Sequence, residues 1–127
     1  MKRLPLVLVL VLASGPLVSG HHSFPAHYFE EQSVTVQGSL VEFEYSAPHA
    51  WVHLSVTDDA GAVRRYSAEW SNPNRLSRDG ITKETLKAGD YVIVSGAPGR
   101  NAAENRIHLK RIERPADGWK WAAGARR

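Results

Sequence analysis

Cysteine is absent from the 127 residues of the chain. Its absence excludes disulfide bonds, metal sites with thiolate ligands, and attachment of a lipid through an N-terminal cysteine. The fold must therefore be held by burial of apolar side chains, which is workable but marginal at this size. The length allows one small domain.

A strong charge of one sign is also lacking. The formal net charge is +3, and two of the positive charges, Lys2 and Arg3, lie at the very start of the chain. Recognition of nucleic acid needs basic residues clustered on one face, whereas the other Lys and Arg residues are dispersed among acidic ones. We therefore expect no nucleic-acid partner.

The longest apolar run is short. It covers residues 4–12, follows Lys2 and Arg3, and is succeeded by small residues up to Gly20. A membrane-spanning helix needs about 20 apolar residues. Residues 1–20 are therefore predicted to be a cleavable signal peptide, with the cut after Gly20, and an uncleaved membrane anchor is the alternative. The mature protein is then expected to begin at His21, to be periplasmic or secreted, and to keep no stable membrane anchor.

Five strand-like runs follow, and they are residues 33–45, 50–57, 62–70, 91–95 and 105–113. The segment from Asp59 to Gly61 suits a three-residue hairpin loop between the second and third runs. That loop pairs Leu54 with Tyr66, so that apolar residues face each other. A slip of one residue would set apolar residues against polar ones, so the pattern selects this register.

The first run changes the phase of its apolar alternation, which predicts a β-bulge, and Gly38 is the residue expected to form it. The alternation in all runs predicts one inward face, whose expected members are Val41, Phe43, Val52, Leu54, Tyr66, Ala68, Val92 and Val94.

A helical connector is predicted between the third and fourth strands, because Asn72 and Pro73 are typical of a helix start and Gly80 can end the helix. Three strands, a helix and two strands is the order of the OB-fold. The prediction is a mostly β fold, with a small antiparallel OB-like barrel over residues 21–113. An open β-sandwich is the alternative. Residues 114–127 show no periodicity and are expected to form a loosely ordered tail, with Trp119 or Trp121 as the side chain that could dock it on the barrel.

The mature N-terminus is a candidate metal site with His21, His22 and His49 as ligands. Cleavage would free the α-amine of His21, which titrates near 7.7–8.0, beside two imidazoles. Such nitrogen ligands favour copper, since Cu(II) has the highest affinity in the divalent series. His49 would complete the site if the N-terminal segment folds back over the hairpin. Alternatively, the two histidines are only a soluble start to the mature chain.

The end of the hairpin is a second candidate site. In the predicted register His49 lies across from Ser71, and Trp51 lies across from Glu69. A histidine, a tryptophan and a glutamate would thus share a face that points away from the core, which suits binding of a small ligand or a metal. A simple polar cross-strand cluster is the alternative. His53 is about 13 Å from His49 along a regular strand, so the two cannot share a metal unless the segment Ala47-Pro48 folds back.

Sequence motifs for catalysis are missing. The chain contains no nucleophile elbow, phosphate-binding loop or His-Glu-x-x-His helix, so no catalytic residue is assigned. An exported binding or accessory protein is favoured, acting on an unknown protein or a small ligand. The alternatives are an enzyme or enzyme subunit that uses His49 and Glu69, and a protein-interaction module that uses the face with Trp51.

Several short motifs recur together in a known family. They are His21-His22-Ser23-Phe24, Pro48-His49-Ala50-Trp51, Pro73-Asn74-x-Leu76, and Thr82-Lys83-x-x-Leu86-Lys87-x-Gly89-Asp90. In their combination and order the chain resembles, over residues 21–96, a family of small exported bacterial proteins of unknown function. The resemblance implies export and a small β-barrel, and it implies no established activity.

Overall fold

Segments whose apolar and polar residues alternate form strands in the computed structural model, which describes residues 23–125. The elements in chain order are helix α1 (Phe24–His27), strands β1 (Val34–Glu44), β2 (Trp51–Thr57) and β3 (Val63–Glu69), helix α2 (Pro73–Arg78), and strands β4 (Tyr91–Pro98), β5 (Arg106–Arg114) and β6 (Trp119–Ala122). The predicted signal peptide, His21 and His22 lie outside the described residues.

The sheet closes on itself. Its strand order is β3-β2-β1-β4-β5-β6, and β3 pairs in addition with β5, so β1 to β5 form a closed barrel. The β3–β5 pairing is parallel, whereas the other strand pairs of the described chain are antiparallel. The predicted mostly β barrel, with its helical connector between β3 and β4, is confirmed, and the parallel closure makes its sheet a mixed one.

The hairpin of β2 and β3 has the predicted register. Leu54 pairs with Tyr66, and Trp51 pairs with Glu69. The loop is closed by the amide of Asp58, which donates to the carbonyl of Ala62 at 2.9 Å. Trp51 and Glu69 therefore lie at the end of this hairpin, as the sequence predicted.

The bulge in β1 lies three residues beyond the expected position. Leu40 pairs with Leu54, and Glu42 pairs with His53, the neighbouring residue, so Val41 is the extra residue. The prediction that Val41 faces inward is wrong, since it is 44% exposed. Leu40, in phase with Val36 and Gly38, is buried instead, and the extra residue brings Phe43 to the inward face.

Gly38 has a different role from the predicted one, because it allows a close approach of two backbones. A Cβ atom at this position would lie 2.1 Å from the carbonyl oxygen of Ser55 on β2. Such a distance is far inside van der Waals contact, so β1 can cross β2 here only without a side chain.

The core lies inside the barrel and continues under α2. Five of the predicted inward residues are fully buried, and Phe43 and Tyr66 are partly buried against them. The buried cluster comprises Leu40, Ala50, Val52, Leu54, Ala68, Trp70, Leu76, Ile81, Leu86, Val92, Val94, Ile107, Leu109 and Ile112.

The connector helix begins and ends as predicted. The side chain of Asn72 accepts from the amide of Asn74 at 2.8 Å, and Pro73 occupies the first turn. Gly80, at a φ of 79°, follows the helix end. Leu76 is the buried residue of α2 and ties it to the core. None of the helices within residues 23–125 has the length and apolar character to cross a membrane.

The C-terminal segment differs from the expected loose tail. Residues 119–122 form β6, which pairs antiparallel with the second half of β5. Trp119 and Trp121 pack against the core, and the indole nitrogen of Trp121 donates to Asp79 at 2.9 Å. Arg114 binds Asp117 in the intervening turn. The segment shows little periodicity because only four residues form the strand.

Leu54→Ala should lower the free energy of unfolding by about 2–5 kcal/mol, because a fully buried leucine leaves a cavity when it is truncated. Val63→Ala is the control, since Val63 is 68% exposed and its loss should stay within about 0.5 kcal/mol. Denaturant titration measures both. Equal effects of the two substitutions would contradict the assignment of the inward face.

Candidate functional site

His49 and Glu69 meet at the end of the β2–β3 hairpin. Hydrogen bonds from the Ala50 amide to the Ser71 carbonyl and from the Trp70 amide to the Ala50 carbonyl continue the pairing past the strand ends. This continuation fixes the backbone of His49, whose Nδ1 lies 2.8 Å from Glu69 Oε2. Both side chains are partly buried, with exposures of 27% and 16%.

The other oxygen of Glu69 is held by residues 23–32, which precede β1 and which we call the N-terminal segment. Tyr28 is completely buried, and its hydroxyl donates to Glu69 Oε1 at 2.7 Å. Burial raises the pKa of Tyr28, and the hydrogen bond to Glu69 raises it further, so the phenol keeps its proton and remains a donor. Both carboxylate oxygens of Glu69 therefore have partners, and the carboxylate is fixed in position.

A second histidine lies beside this pair. His108 on β5 is the register partner of Glu69 in the parallel β3–β5 pairing. Its Nδ1 lies 2.6 Å from Glu30 Oε1, and Lys110 Nζ lies 2.6 Å from Glu30 Oε2. His108 thus repeats the arrangement of His49, with its Nδ1 on one carboxylate oxygen and another donor on the second oxygen.

The charge states of this second pair follow from its surroundings. Burial by itself raises the pKa of Glu30, but the hydrogen bonds from Lys110 and His108 outweigh it and hold the pKa below its ordinary value. Burial lowers the pKa of His108 despite the opposing effect of Glu30. A neutral His108 beside an ionised Glu30 must donate from Nδ1, which leaves the lone pair on Nε2.

Phe24 covers both imidazoles. Its ring stacks on His108 at a centroid distance of 3.6 Å and on His49 at 5.0 Å. Helix α1, which contains Phe24, is anchored by the bridge between Tyr28 and Gly99 and by the hydrogen bond from the Arg100 amide to the His27 carbonyl. The N-terminal segment therefore lies over the hairpin end.

Both histidines line one cleft between α2, β5 and the segment after β6. It has a volume of about 760 Å³, and its walls include Trp70, Trp121 and Arg75. Trp70 is almost fully buried, and its indole N–H has no hydrogen-bond partner among the described residues. We refer to this space as the histidine cleft.

Trp51 belongs to a neighbouring patch. The guanidinium of Arg106 lies 4.9 Å from the centroid of the Trp51 ring, and the ring also stacks on His53. The imidazole of His53 is held at both nitrogens, by Ser67 at 2.8 Å and by Glu44 at 3.1 Å. Trp51 is thus the register partner of Glu69, as predicted, but its ring packs with Arg106 and His53, whereas His49 contacts Glu69 directly.

Residues 23–125 contain no group of three or more His, Cys, Asp or Glu residues arranged to hold a metal ion. The predicted ligands His21 and His22 lie outside the described residues. Sequence reasoning missed His108, Glu30 and Tyr28, because only the parallel closure of the barrel and the path of the N-terminal segment bring them to the hairpin. The alternation of His108 with Ile107 and Leu109, which are buried, predicts that His108 faces outward from its strand. It does not predict which residues contact His108.

Fold and site together define a small closed β-barrel whose N-terminal segment covers a histidine-lined cleft. The family model described as "Family of unknown function (DUF6152)" matches residues 9–108. The chain therefore belongs to this family. No curated protein matches the chain.

Tyr28→Phe should lower the free energy of unfolding by about 1–3 kcal/mol, because it removes a buried hydrogen bond to the carboxylate of Glu69. Tyr91→Phe is the matched control, since Tyr91 is 48% exposed and its change should be within about 0.5 kcal/mol. Thermal or denaturant unfolding gives both values. A Tyr28→Phe variant as stable as the Tyr91→Phe variant would show that this hydrogen bond does not secure the N-terminal segment.

Proposed function

We propose that this protein is an exported accessory protein that binds Cu(II) with its mature N-terminus. The ligands are the α-amine and imidazole of His21, the imidazole of His22, and His49. The protein acts in the periplasm or outside the cell, its leader is removed, and neither a nucleic acid nor a membrane anchor has a part in its function.

The observation that carries the proposal is the stacking of Phe24 on His49. Only Ser23 separates Phe24 from His22 in the sequence. A chain advances by at most about 3.6 Å per residue, so the Cα atom of His22 is within about 7 Å of the Cα atom of Phe24, whose ring stacks on His49. The fold-back that a shared site requires is thus supported by the first described residues.

The orientation of His49 also supports a ligand role. Glu69 takes up Nδ1, and Nε2 has no hydrogen-bond partner among the described residues. Histidines that bind metals are commonly held in this way, with a carboxylate on the other ring nitrogen. Copper fits the ligand set because imidazole and amine nitrogens suit Cu(II) and no thiolate is present to favour a softer ion.

Export can be tested first. Protein recovered from the periplasm or the medium should begin at His21, because Gly20 and Val18 satisfy the small-residue rule for signal peptidase. N-terminal sequencing together with intact mass decides it. A start several residues away, or a retained leader, would remove the free amine from His21 and contradict the proposed copper ligands.

Copper binding itself is tested by adding one glycine ahead of His21 in the mature protein. The addition moves the amine off His21 and leaves every imidazole in place. Cu(II) affinity, measured by competition with a chelator of known affinity, should weaken by about tenfold or more, since loss of a direct ligand should cost at least as much as loss of its supporting partner.

Two outcomes would contradict the proposed copper site. Equal affinity with and without the added glycine would show that the amine is not a ligand. Affinity no higher than that of a peptide with residues 21–28 in scrambled order would show that the protein has no copper site.

A second candidate function is an enzyme in which Nε2 of His49 acts as a general base. The His49–Glu69 hydrogen bond supports it, because a carboxylate on Nδ1 orients a catalytic imidazole in the same way. Ser71 lines the same cleft. Metal-free protein would then convert at least one member of a panel of ester, amide and phosphate substrates, and the Glu69→Gln variant would lose that activity. No turnover by the metal-free protein would exclude this candidate.

A further inference from the structure

We propose that Ser67, His53 and Glu44 form a separate hydrolytic site on the outer face of the barrel, and that this site cleaves short-chain carboxylic esters. Ser67 is the nucleophile, His53 is its general base, and Glu44 is the residue that positions the imidazole. The site shares no residue with the proposed copper site, so each can exist without the other. No sequence motif indicates it, because its three residues come from three different strands.

The first argument is that the polar side chains form one row across the sheet. Glu44 is on β1, His53 is on β2 and Ser67 is on β3, and His53 and Ser67 are register partners. In the parallel pairing with β5, Ser67 is in turn the register partner of Arg106. Paired residues project from the same face of a sheet, and neighbouring strands are only about 4.8 Å apart. The row is therefore compact enough for one small molecule to contact.

The second argument is the direction of the hydrogen bonds. Ser67 Oγ lies 2.8 Å from Nδ1 of His53, and Nε2 of His53 lies 3.1 Å from Oε2 of Glu44. A carboxylate can only accept, so the proton of a neutral ring lies on Nε2 and the lone pair lies on Nδ1. The Ser67 hydroxyl therefore donates to Nδ1, as a serine nucleophile does to its base. Serine hydrolases use the same order of hydroxyl, imidazole and carboxylate, with the two ring nitrogens exchanged.

The third argument comes from the surroundings of these residues. The His53 side chain is only 15% exposed, and its ring stacks on Trp51, so the imidazole is held in place. Ser67 and Arg106 both line an open depression of about 180 Å³. The ion pair of Arg106 with Glu104, at 3.4 Å, is partly exposed to solvent and leaves other guanidinium donors for a ligand. A cation held beside the nucleophile can stabilise an oxyanion, and the small volume selects a short acyl group.

The reaction is acyl transfer to Ser67 followed by hydrolysis. Ser67 Oγ attacks the ester carbonyl carbon while its proton passes to Nδ1 of His53, and Arg106 stabilises the negative charge on the carbonyl oxygen. The bond to the alcohol oxygen then breaks, and the alcohol leaves with the proton from Nδ1. Water attacks the acyl-serine by the same route, which releases the carboxylic acid and restores the serine. Glu44 stabilises the imidazolium in both steps.

Covalent labelling tests the nucleophile directly. The mature protein is incubated without metal with a fluorophosphonate, a reagent that phosphonylates activated serines, and the labelled residue is mapped by mass spectrometry. We expect one label per chain, on Ser67, and none in the Ser67→Ala variant. Ser95→Ala is the matched control and should be labelled like the wild type, because Ser95 is also a strand serine but its hydroxyl bonds Thr35, at 2.8 Å, rather than a histidine.

Two further variants test the base and its positioning residue. His53→Gln should slow both labelling and the hydrolysis of 4-nitrophenyl acetate by about a hundredfold or more, the usual contribution of a general base. Glu44→Gln should slow both by about tenfold or more with little change in KM, because an amide can donate to Nε2 and no longer fixes the tautomer. A purely structural Glu44 would change the melting temperature and leave the labelling rate unaltered. Circular dichroism verifies that each variant is folded.

Several outcomes would overturn this inference. One is the absence of a label on any serine, and another is an equal labelling rate in the wild type and His53→Gln. If His53→Gln does not fold, an unchanged labelling rate in Glu44→Gln overturns it instead. A label on Ser71, which lines the histidine cleft, would support His49 as the base and would also overturn it. None of these results bears on the copper site, whose test is Cu(II) affinity.

Discussion

The parallel pairing of three residues of β3 with three residues of β5 is the constraint on which the rest of the structure depends. It closes the barrel and buries Ala68 and Ile107, which are register partners. One residue further along the same pairing, Glu69 lies beside His108. The contact that completes the fold therefore also brings the two histidine–carboxylate pairs to the same end of the barrel.

Glu69 connects this closure to the N-terminal segment. Its two oxygens bind Tyr28 from that segment and His49 from the hairpin. A carboxylate with two donors resists movement, because displacing it would leave part-buried polar groups unpaired. Phe24 is thereby held against His49 and His108. A single side chain thus joins the stability of the fold to the geometry of the proposed site.

Local patterns in the sequence were sufficient to predict the parts of the fold that depend on segments close together in the chain. The hairpin register followed from setting Leu54 against Tyr66, and the start of α2 followed from Asn72 and Pro73. The proximity of His49 and Glu69 was a consequence of that register. Each of these features depends on contacts between segments joined by a short loop, so a pattern in the sequence can express them.

Features that depend on contacts between distant segments could not be predicted from the sequence in the same way. The bulge lies at Val41 rather than at Gly38, and Gly38 instead allows the close crossing of β1 and β2, a contact between strands that the pattern of β1 alone does not express. β6 formed where no periodicity was visible, since it extends β5 over only four residues. His108 joined the site through the parallel closure, and a single histidine on an amphipathic strand carries no sign of its partner 78 residues away.

The central proposal is that the mature N-terminus and the hairpin end together form a copper site. Its most direct test is a crystal structure of the mature protein grown with Cu(II), with anomalous diffraction measured at the copper absorption edge. An anomalous peak is expected in the histidine cleft, at about 2 Å from Nε2 of His49, the usual length of a bond from a metal to imidazole. A copper peak elsewhere on the protein, or none in the cleft of fully metallated crystals, would contradict it.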